Sequence, residues 1–311
     1  MRKNSKIPIV VVGTGFLGEF HIQQILKIPE FRLVGIFDID SIRLQEISYK
    51  YKVKAFNSLD SALTNADAVS IVVPTPYHHK IAFEALKYDC DIFIEKPISD
   101  TVSNAKKIKY MNTNNKCIQV GHIERYNKAY IKLLGYSPCP IFIESHRIAS
   151  YKKRGTEVSV IHDLMIHDID IINSFFLIPI KNIYATGVAV ITDSIDIANA
   201  RIEYVNGAVA NITASRVSQK QMRKMRLFEK NKYYSMDFIS RSLELYSINK
   251  SSNKLQSKKY NFENNNPLYN QLSDFAISIK NRKEPKVTID AAIEALEIAN
   301  RIEDQIIKSQ K

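Results

Sequence analysis

Acid–base chemistry is suggested by one short stretch, "HDLMIHDID" (residues 162–170), in which two histidines and three aspartates alternate with Leu, Met and Ile. At about 100° per residue on a helix, Asp163, His167 and Asp170 fall within a wedge of roughly 60°. A histidine can accept an alcohol proton near neutral pH, and a carboxylate one turn away can fix its tautomer. The pattern therefore favours a proton-transfer site on one helix face.

Two other interpretations of this stretch remain open. A metal ion needs three or four converging ligands, but His162 and Asp168 point away from the wedge and no HExxH or cysteine–histidine set accompanies them. A metal site is the minority interpretation, and we expect none. Ordinary buried polar residues are the favoured interpretation for His162 and Asp168.

Phosphate-binding chemistry is indicated by "VVVGTGFLG" near the start of the chain. The GxGxxG spacing directly follows a strand-like apolar run and opens a helix-like segment. Its three glycines permit a tight turn, close approach of a pyrophosphate and packing of the helix on the sheet, with the helix N-terminus aimed at the phosphates. A glycine turn without a ligand is the alternative, which the strand and the spacing argue against. The expected cofactor contacts are Gly13, Thr14, Gly15, Phe16, Leu17 and Gly18.

A carboxylate stands where such a site would hold the adenosine ribose. Asp38 ends the second apolar run, 20 residues after Gly18. It can accept hydrogen bonds from the ribose hydroxyls but would repel a 2′-phosphate, so NAD is expected over NADP. Arg43, in the first turns of the following helix, argues against this preference, because it is placed to swing toward a 2′-phosphate.

A lysine follows the apolar run 91–94 in "DIFIEKPIS". Open α/β sheets bind ligands just beyond the carboxyl ends of their strands, so Lys96 should point toward the nicotinamide end of a dinucleotide. The preceding strand ends in "VVPTPYHH" at the same edge. For His78, a place at a helix N-terminus is favoured over catalysis. The residues expected along this edge are Pro74, Thr75, His78, Glu95, Lys96 and Pro97.

The elements that must position these groups change character near Gly121. Short apolar runs at 7–12, 33–37, 68–73, 91–94 and 117–121 alternate with helix-period segments, which predicts a parallel sheet covered on both faces. Longer β-like runs follow, with a hairpin signal at Asn206-Gly207, and two amphipathic helices close the chain. We therefore predict an α/β protein with a Rossmann domain at 1–121 and an α+β domain at 122–311 built on a large mixed or antiparallel sheet.

Composition and charge narrow the class of protein. A chain of 311 residues that is 45% hydrophobic can bury two cores. The net charge of +12 comes from lysines spread along the chain rather than from one basic groove, so nucleic-acid binding is disfavoured, although a basic cleft would suit an anionic ligand. No apolar stretch approaches the roughly 18 to 20 residues that cross a bilayer, so no membrane association is expected.

Cysteine usage indicates a reducing environment. Cys90, Cys117 and Cys139 are odd in number and lack paired short spacing. They predict neither a disulfide framework nor a zinc site, and they fit a cytoplasmic protein.

The motifs "GTGFLG", "EKP" and the Asp-x3-His-x2-Asp segment "DLMIHDID", in this order, resemble the Gfo/Idh/MocA oxidoreductases over essentially the whole chain. The resemblance implies an NAD(P)-dependent enzyme whose catalytic residues are Lys96, Asp163 and His167. It also implies a homo-oligomer, dimer or tetramer, formed through the C-terminal sheet. Some members are non-catalytic dinucleotide-dependent regulators, but the presence of the lysine and the histidine favours an enzyme.

Within the family, "VGHIERYN", "RGTEVSVIHDLMIHDIDI" and "DIANARIEY...ASRVS" resemble the members that oxidise the 3-hydroxyl of UDP-N-acetylglucosamine for amino-sugar and lipid A synthesis. This likeness implies a nucleotide-sugar substrate, a 3-keto product and a pathway aminotransferase as partner. An inositol-type or other sugar dehydrogenase is the alternative. The residues expected to contact the substrate are Lys96, Arg125, Asn127, Arg154, Asp163, His167 and Arg216, although each of the arginines and Asn127 can equally be structural.

Overall fold

The computed structural model describes residues 5–151, 158–249, 254–263 and 266–310. The chain divides into two compact units, one formed by residues up to Ile123 together with Asn266–Ile293, and the other by Glu124–Asn265 with the residues from Glu294 onward. Within the described residues, no helix is both long enough and apolar enough to cross a membrane.

The strands in chain order are β1 (Ile7–Val12), β2 (Phe31–Phe37), β3 (Ala68–Ile71), β4 (Asp91–Ile94), β5 (Ile118–Val120), β6 (Phe142–Ile148), β7 (Ile180–Val188), β8 (Ile197–Tyr204), β9 (Val209–Ser215), β10 (Met222–Glu229), β11 (Lys232–Asp237), β12 (Ser242–Asn249) and β13 (Lys254–Asn261). The helices are α1 (Phe16–Ile25), α2 (Ser41–Tyr51), α3 (Leu59–Thr64), α4 (His78–Lys87), α5 (Val102–Met111), α6 (Lys128–Leu134), α7 (Ile166–Asn173), α8 (Pro267–Asn281) and α9 (Ile289–Ser309).

The first unit is built on a parallel sheet with strand order β2-β1-β3-β4-β5. The central strands β3 and β4 are mostly apolar and are buried along their whole length, as expected when helices cover both faces of a sheet. Because all five strands run parallel, the loops that follow β1, β2, β3 and β4 meet at one edge. The predicted Rossmann domain is confirmed.

The end of the first unit differs from the boundary expected at residue 121. Helix α8 belongs to this unit, because Leu272, Phe275 and Ala276 are buried in the core beneath β1 and β4. Two buried glutamines also join it to β5: the Gln119 side-chain amide donates to the Gln271 carbonyl at 2.8 Å, and the Gln271 amide donates to the Val120 carbonyl at 3.1 Å. The helical period of α8 predicted an apolar face but not the core that buries it.

The second unit is built on an eight-stranded sheet with strand order β13-β12-β11-β10-β6-β9-β8-β7. Neighbouring strands pair antiparallel except β6 and β9, which pair parallel, so the predicted mixed sheet is confirmed. Asn206-Gly207 turns the β8–β9 hairpin, and Gly207 adopts the left-handed φ of 86° that glycine tolerates best. One face of the sheet packs on α6, α7 and the C-terminal part of α9.

The opposite face of this sheet carries a row of aromatic side chains. Phe142, Phe228, Tyr233 and Tyr246 lie on four adjacent strands, with successive ring centroids 5.4, 4.9 and 5.4 Å apart. Their chain neighbours toward the core, such as Leu227, are fully buried. Side chains alternate between the two faces of a strand, so this aromatic row lies on the face away from the helices.

Candidate active site

The glycine loop between β1 and α1 is shaped to approach a phosphate closely. Gly13 has a φ of 96°, and a Cβ there would lie 2.5 Å from the Val72 carbonyl oxygen, while a Cβ on Gly18 would collide with the Gly13 carbonyl. A Cβ on Gly15, in contrast, would meet no atom within 4 Å. Gly15 is also the N-cap of α1, so no side chain caps the first amides of that helix. The loop therefore leaves open space beside helix N–H groups, which suits a pyrophosphate.

The carboxylate of Asp38 is fixed beside this loop. The Thr14 backbone N–H donates to Asp38 Oδ2 at 2.5 Å, and the Thr14 hydroxyl donates to the same oxygen at 3.0 Å. The Asp40 N–H donates to the other carboxylate oxygen at 3.0 Å. Asp38 is partly exposed at the carboxyl end of β2 and keeps acceptor capacity for ribose hydroxyls. Buried Thr14 thus positions the acid from inside the loop.

Glu95 and Lys96 follow β4, and a buried histidine anchors them. His21 on α1 contacts Ser70 Oγ through Nδ1 at 2.9 Å and Glu95 Oε1 through Nε2 at 3.1 Å. The other Glu95 oxygen accepts the Lys96 backbone N–H at 3.2 Å. Burial alone would raise the pKa of Glu95, but the hydrogen bond and charge of His21 and the charge of Lys96 outweigh it and hold that pKa below its ordinary value.

His78 joins the loops that follow β3 and β4. Its ring is 1% exposed, with Nδ1 2.9 Å from the Pro97 carbonyl oxygen and Nε2 2.8 Å from the Val73 carbonyl oxygen. Burial lowers the pKa of His78 despite these two hydrogen bonds. Its place as the first residue of α4 agrees with the favoured interpretation, and its contacts are structural. Pro74 and Thr75 lie at the same edge, and the Lys96-Pro97 peptide bond is cis.

The polar stretch 162–170 lies in the second unit and begins with a wide turn. Ile161–Met165 forms a π-helix, in which the Ile166 N–H donates to the Ile161 carbonyl five residues back, and α7 follows. The extra residue in this turn alters the angles that a regular helix would give. Asp170 is buried, whereas Asp163 and His167 are partly exposed, and a shared face for the three residues stays a prediction.

Asp168, His162 and Asp170 in this stretch have partners within the second unit. Arg147 on β6 binds Asp168 through two nitrogens at 2.9 and 3.0 Å and Glu124 through a third at 3.0 Å, and Arg147 and Asp168 are both 1% exposed. His162 Nε2 lies 2.7 Å from Asn300 Oδ1. Asp163 and His167, the two predicted catalytic residues of the stretch, are partly exposed, as is His162.

Asp170 forms an ion pair with Arg125. The Arg125 guanidinium donates to both Asp170 carboxylate oxygens at 2.7 and 2.8 Å, and burial is outweighed by this charge, so the pKa of Arg125 is raised. This ion pair is internal to the second unit. A contact of Arg125 with substrate stays a prediction.

Two other residues predicted to bind substrate are also held by internal contacts. Asn127 is 3% exposed and caps α6 by accepting the Ala129 N–H at 3.1 Å. Arg216 is 5% exposed and donates to Asp196 Oδ1 and to the Val158 carbonyl, each at 2.7 Å. Their substrate contacts stay predictions. Arg154 lies outside the described residues.

The structure thus places Lys96 in the first unit and Asp163 and His167 in the second. The sequence interpretation missed His21, Ser70 and the Arg147–Glu124 pair. Only His21 left a local signal, since it lies one helical turn after Gly18. Among the residues described, no three His, Cys, Asp or Glu side chains converge as a metal site would require.

Comparison with known proteins gives matches along the chain. The family profile described as "Oxidoreductase family, NAD-binding Rossmann fold" matches residues 7–122, and the GFO/IDH/MocA C-terminal domain profile matches residues 118–231. The UDP-N-acetylglucosamine 3-dehydrogenase of Acidithiobacillus ferrooxidans is 37% identical over 239 residues, which cover 76% of this chain and 75% of that protein. The inositol 2-dehydrogenase of Rubrobacter xylanophilus is 28% identical over 199 residues, which cover 60% of this chain and 57% of that protein.

Among solved structures, a UDP-N-acetylglucosamine 3-dehydrogenase again matches this chain better than an inositol dehydrogenase does. A structure of the Acidithiobacillus ferrooxidans enzyme superposes with a TM-score of 0.90 at 31% identity and covers 97% of this chain and 98% of its own. The myo-inositol 2-dehydrogenase of Lactobacillus plantarum superposes with a TM-score of 0.82 at 19% identity, covering 98% of each chain, which is a likeness of fold.

Proposed function

Because this chain belongs to the GFO/IDH/MocA family of oxidoreductases, we propose that it oxidises the 3-hydroxyl of UDP-N-acetylglucosamine to a 3-keto sugar, with NAD as the hydride acceptor. The observation that carries the substrate is the match to a UDP-N-acetylglucosamine 3-dehydrogenase at 37% identity over three quarters of both chains. The inositol dehydrogenase match is weaker and shorter.

The chain has the residues that an NAD site requires. The open space at Gly15, the uncapped N-terminus of α1 and the Asp38 carboxylate would hold the pyrophosphate and the adenosine ribose. The flanking contacts would come from Phe16 and Leu17 and from the residues in the loops that follow β3 and β4, at the carboxyl edge of the sheet. When bound, the nicotinamide supplies the acceptor for the hydride of the carbinol carbon.

The protein side chains manage the proton and the oxygen. His167 removes the hydroxyl proton as general base while the C–H bond breaks, and the carbinol becomes a ketone. The Lys96 ammonium stabilises the alkoxide that develops on the substrate oxygen, and Asp163 holds the substrate. Glu95 and His21 position Lys96 through its backbone N–H.

The product chemistry points to a partner enzyme. A 3-keto sugar carries an electrophilic carbonyl, which an aminotransferase can convert into an amine. We place the reaction in the cytoplasm, on the route to the amino sugars of lipid A and lipopolysaccharide. The free thiols of Cys90 and Cys117, both buried, fit that reducing compartment.

We further propose a homo-oligomer, dimer or tetramer, joined through the second unit's sheet. The support is the aromatic row of Phe142, Phe228, Tyr233 and Tyr246 on the face away from the helices. Aromatic residues are enriched at protein interfaces.

The test is a coupled assay with the full chain. NAD, UDP-N-acetylglucosamine, glutamate and an aminotransferase are incubated together, because amination draws off the ketone and pulls an unfavourable equilibrium forward. The expected result is a UDP-linked 3-amino sugar that depends on both enzymes. If no amino sugar forms while myo-inositol reduces NAD readily, the inositol-type alternative replaces the proposal. If neither is turned over but NAD binds, a dinucleotide-sensing regulator replaces it.

A further inference from the structure

The guanidinium of Arg43 is engaged on every nitrogen. Its Nε donates to the Thr14 carbonyl at 3.1 Å, one terminal nitrogen donates to Glu19 Oε2 at 2.6 Å, and the other lies 2.8 Å from Glu46 Oε1. An arginine near the end of β2 is the residue type that accommodates a 2′-phosphate in NADP-dependent Rossmann domains. Here that side chain is directed to the protein instead.

Glu19, on the first turn of α1, is the anchor of this arrangement. Its Oε1 accepts the Lys50 ammonium at 2.6 Å and the Tyr51 hydroxyl at 2.8 Å, while Oε2 binds Arg43. The side chain is 17% exposed. The hydrogen bonds from Lys50, Tyr51 and Arg43 lower the pKa of Glu19 to about 2, so the tether is charged at every pH at which the enzyme would work.

Arg43 and Asp38 meet on the same residue of the glycine loop. The Thr14 N–H donates to Asp38 and the Thr14 carbonyl accepts from Arg43. The guanidinium and the carboxylate that would receive the ribose are thus held by the same residue, Thr14. A released Arg43 would lie within reach of a phosphate on that ribose, whereas the bound one is already neutralised by two carboxylates.

We propose that Glu19 is a second determinant of cofactor selectivity, acting with Asp38: it holds Arg43 against the glycine loop and so withholds it from the 2′-phosphate of NADP. Asp38 repels the phosphate directly, and Glu19 removes the cation that would compensate. This inference rests on the proposed use of NAD. It makes Glu19 a positioning residue, since it acts through Arg43.

The experiment titrates NADH and NADPH into the full chain and follows the fluorescence of the reduced nicotinamide. Four proteins are compared: the unmodified chain, Asp38→Asn, Asp38→Asn with Glu19→Ala, and that double variant with Arg43→Ala. Removing Glu19 from the Asp38→Asn background should tighten NADPH binding on the order of tenfold, as expected for one new charge-assisted contact, with little change for NADH. Adding Arg43→Ala should abolish the gain.

The matched control is Glu46→Ala in the Asp38→Asn background. Glu46 is the more exposed partner of Arg43, at 60% exposure, and its loss leaves the Glu19 tether and the Thr14 contact in place. It should leave NADPH affinity unchanged. Glu19→Gln, which keeps the volume of the side chain, replaces Glu19→Ala if the latter does not fold.

Two outcomes would overturn the role of Glu19: a double variant that binds NADPH no better than Asp38→Asn, or a gain that persists without Arg43. The proposed function fails separately, since an unmodified chain that prefers NADPH contradicts the use of NAD whatever the variants do.

Discussion

At the scale of single residues, the rate of the reaction should depend most on Lys96 and His167. We expect Lys96→Ala and His167→Ala each to lower kcat by about 10² to 10⁴, because both act on the substrate hydroxyl, with NADH affinity nearly unchanged. Steady-state kinetics and NADH titration measure the two effects.

His162→Gln is the matched control for these variants, because His162 lies in the same stretch but contacts Asn300 and Ser159 within the protein. It should retain most of the rate. Near-normal turnover of His167→Ala would remove that residue from the mechanism, and loss of activity on adding a chelator would revive the metal interpretation.

The ion pairs of Glu19 predict a distinct response to acid. The pKa of Glu19 in the folded chain is about 2, below its ordinary 4.5, so its ionised form contributes stability above pH 4.5 that is lost as pH falls toward 2. Glu19→Gln should therefore flatten the decline of Tm across that interval. Thermal melts at successive pH values measure the slope, and an unchanged slope would show that other carboxylates dominate.

At the scale of elements, the ion pair between α7 and β6 should be costly to break. Burial would lower the pKa of Arg147, but Asp168 and Glu124 raise it, so the guanidinium stays charged inside the core. Asp168→Asn should lower the free energy of unfolding by about 3 to 5 kcal/mol, because it leaves that buried charge poorly compensated. Urea denaturation gives the value.

The double variant Arg147→Met/Asp168→Leu tests the cause. It removes the buried guanidinium together with Asp168, and Glu124 keeps Arg223 within 3.9 Å, so it should regain much of the stability lost in Asp168→Asn. A double variant that is less stable than the single one would mean that packing, rather than the unpaired charge, determines the loss.

Local motifs were predictable where spacing carries the information. GxGxxG followed by Asp38, and the lysine after β4, depend on short-range order along the chain, and β1 and β4 lie where the sequence placed them. The partner of Asp170 was not predictable, because Arg125 lies 45 residues away along the chain. Ion pairs such as Arg147–Asp168 join residues far apart in sequence, which periodicity does not report.

At the scale of the whole molecule, the aromatic row predicts an interface. We expect the unmodified protein to be a dimer or tetramer, and Tyr233→Lys to shift it toward monomer, because a lysine ammonium is costly to desolvate among stacked rings. Light scattering after size-exclusion chromatography measures the mass, and far-ultraviolet circular dichroism checks the fold.

Tyr110→Lys, at a residue 75% exposed on α5 in the first unit, is the control and should leave the mass unchanged. A monomeric unmodified protein, or a Tyr233→Lys variant with unchanged mass, would contradict an interface at this face.

The return of α8 to the first unit has a consequence for synthesis on the ribosome. Phe31 and Phe93 pack against Phe275, so the nucleotide-binding unit lacks part of its core until the intervening residues 124–265 have been translated. At about 5 to 20 residues per second, that delay is on the order of ten seconds. The nascent chain therefore exposes an apolar face of its first sheet during this interval, and we expect a chaperone to bind it there until α8 emerges from the exit tunnel.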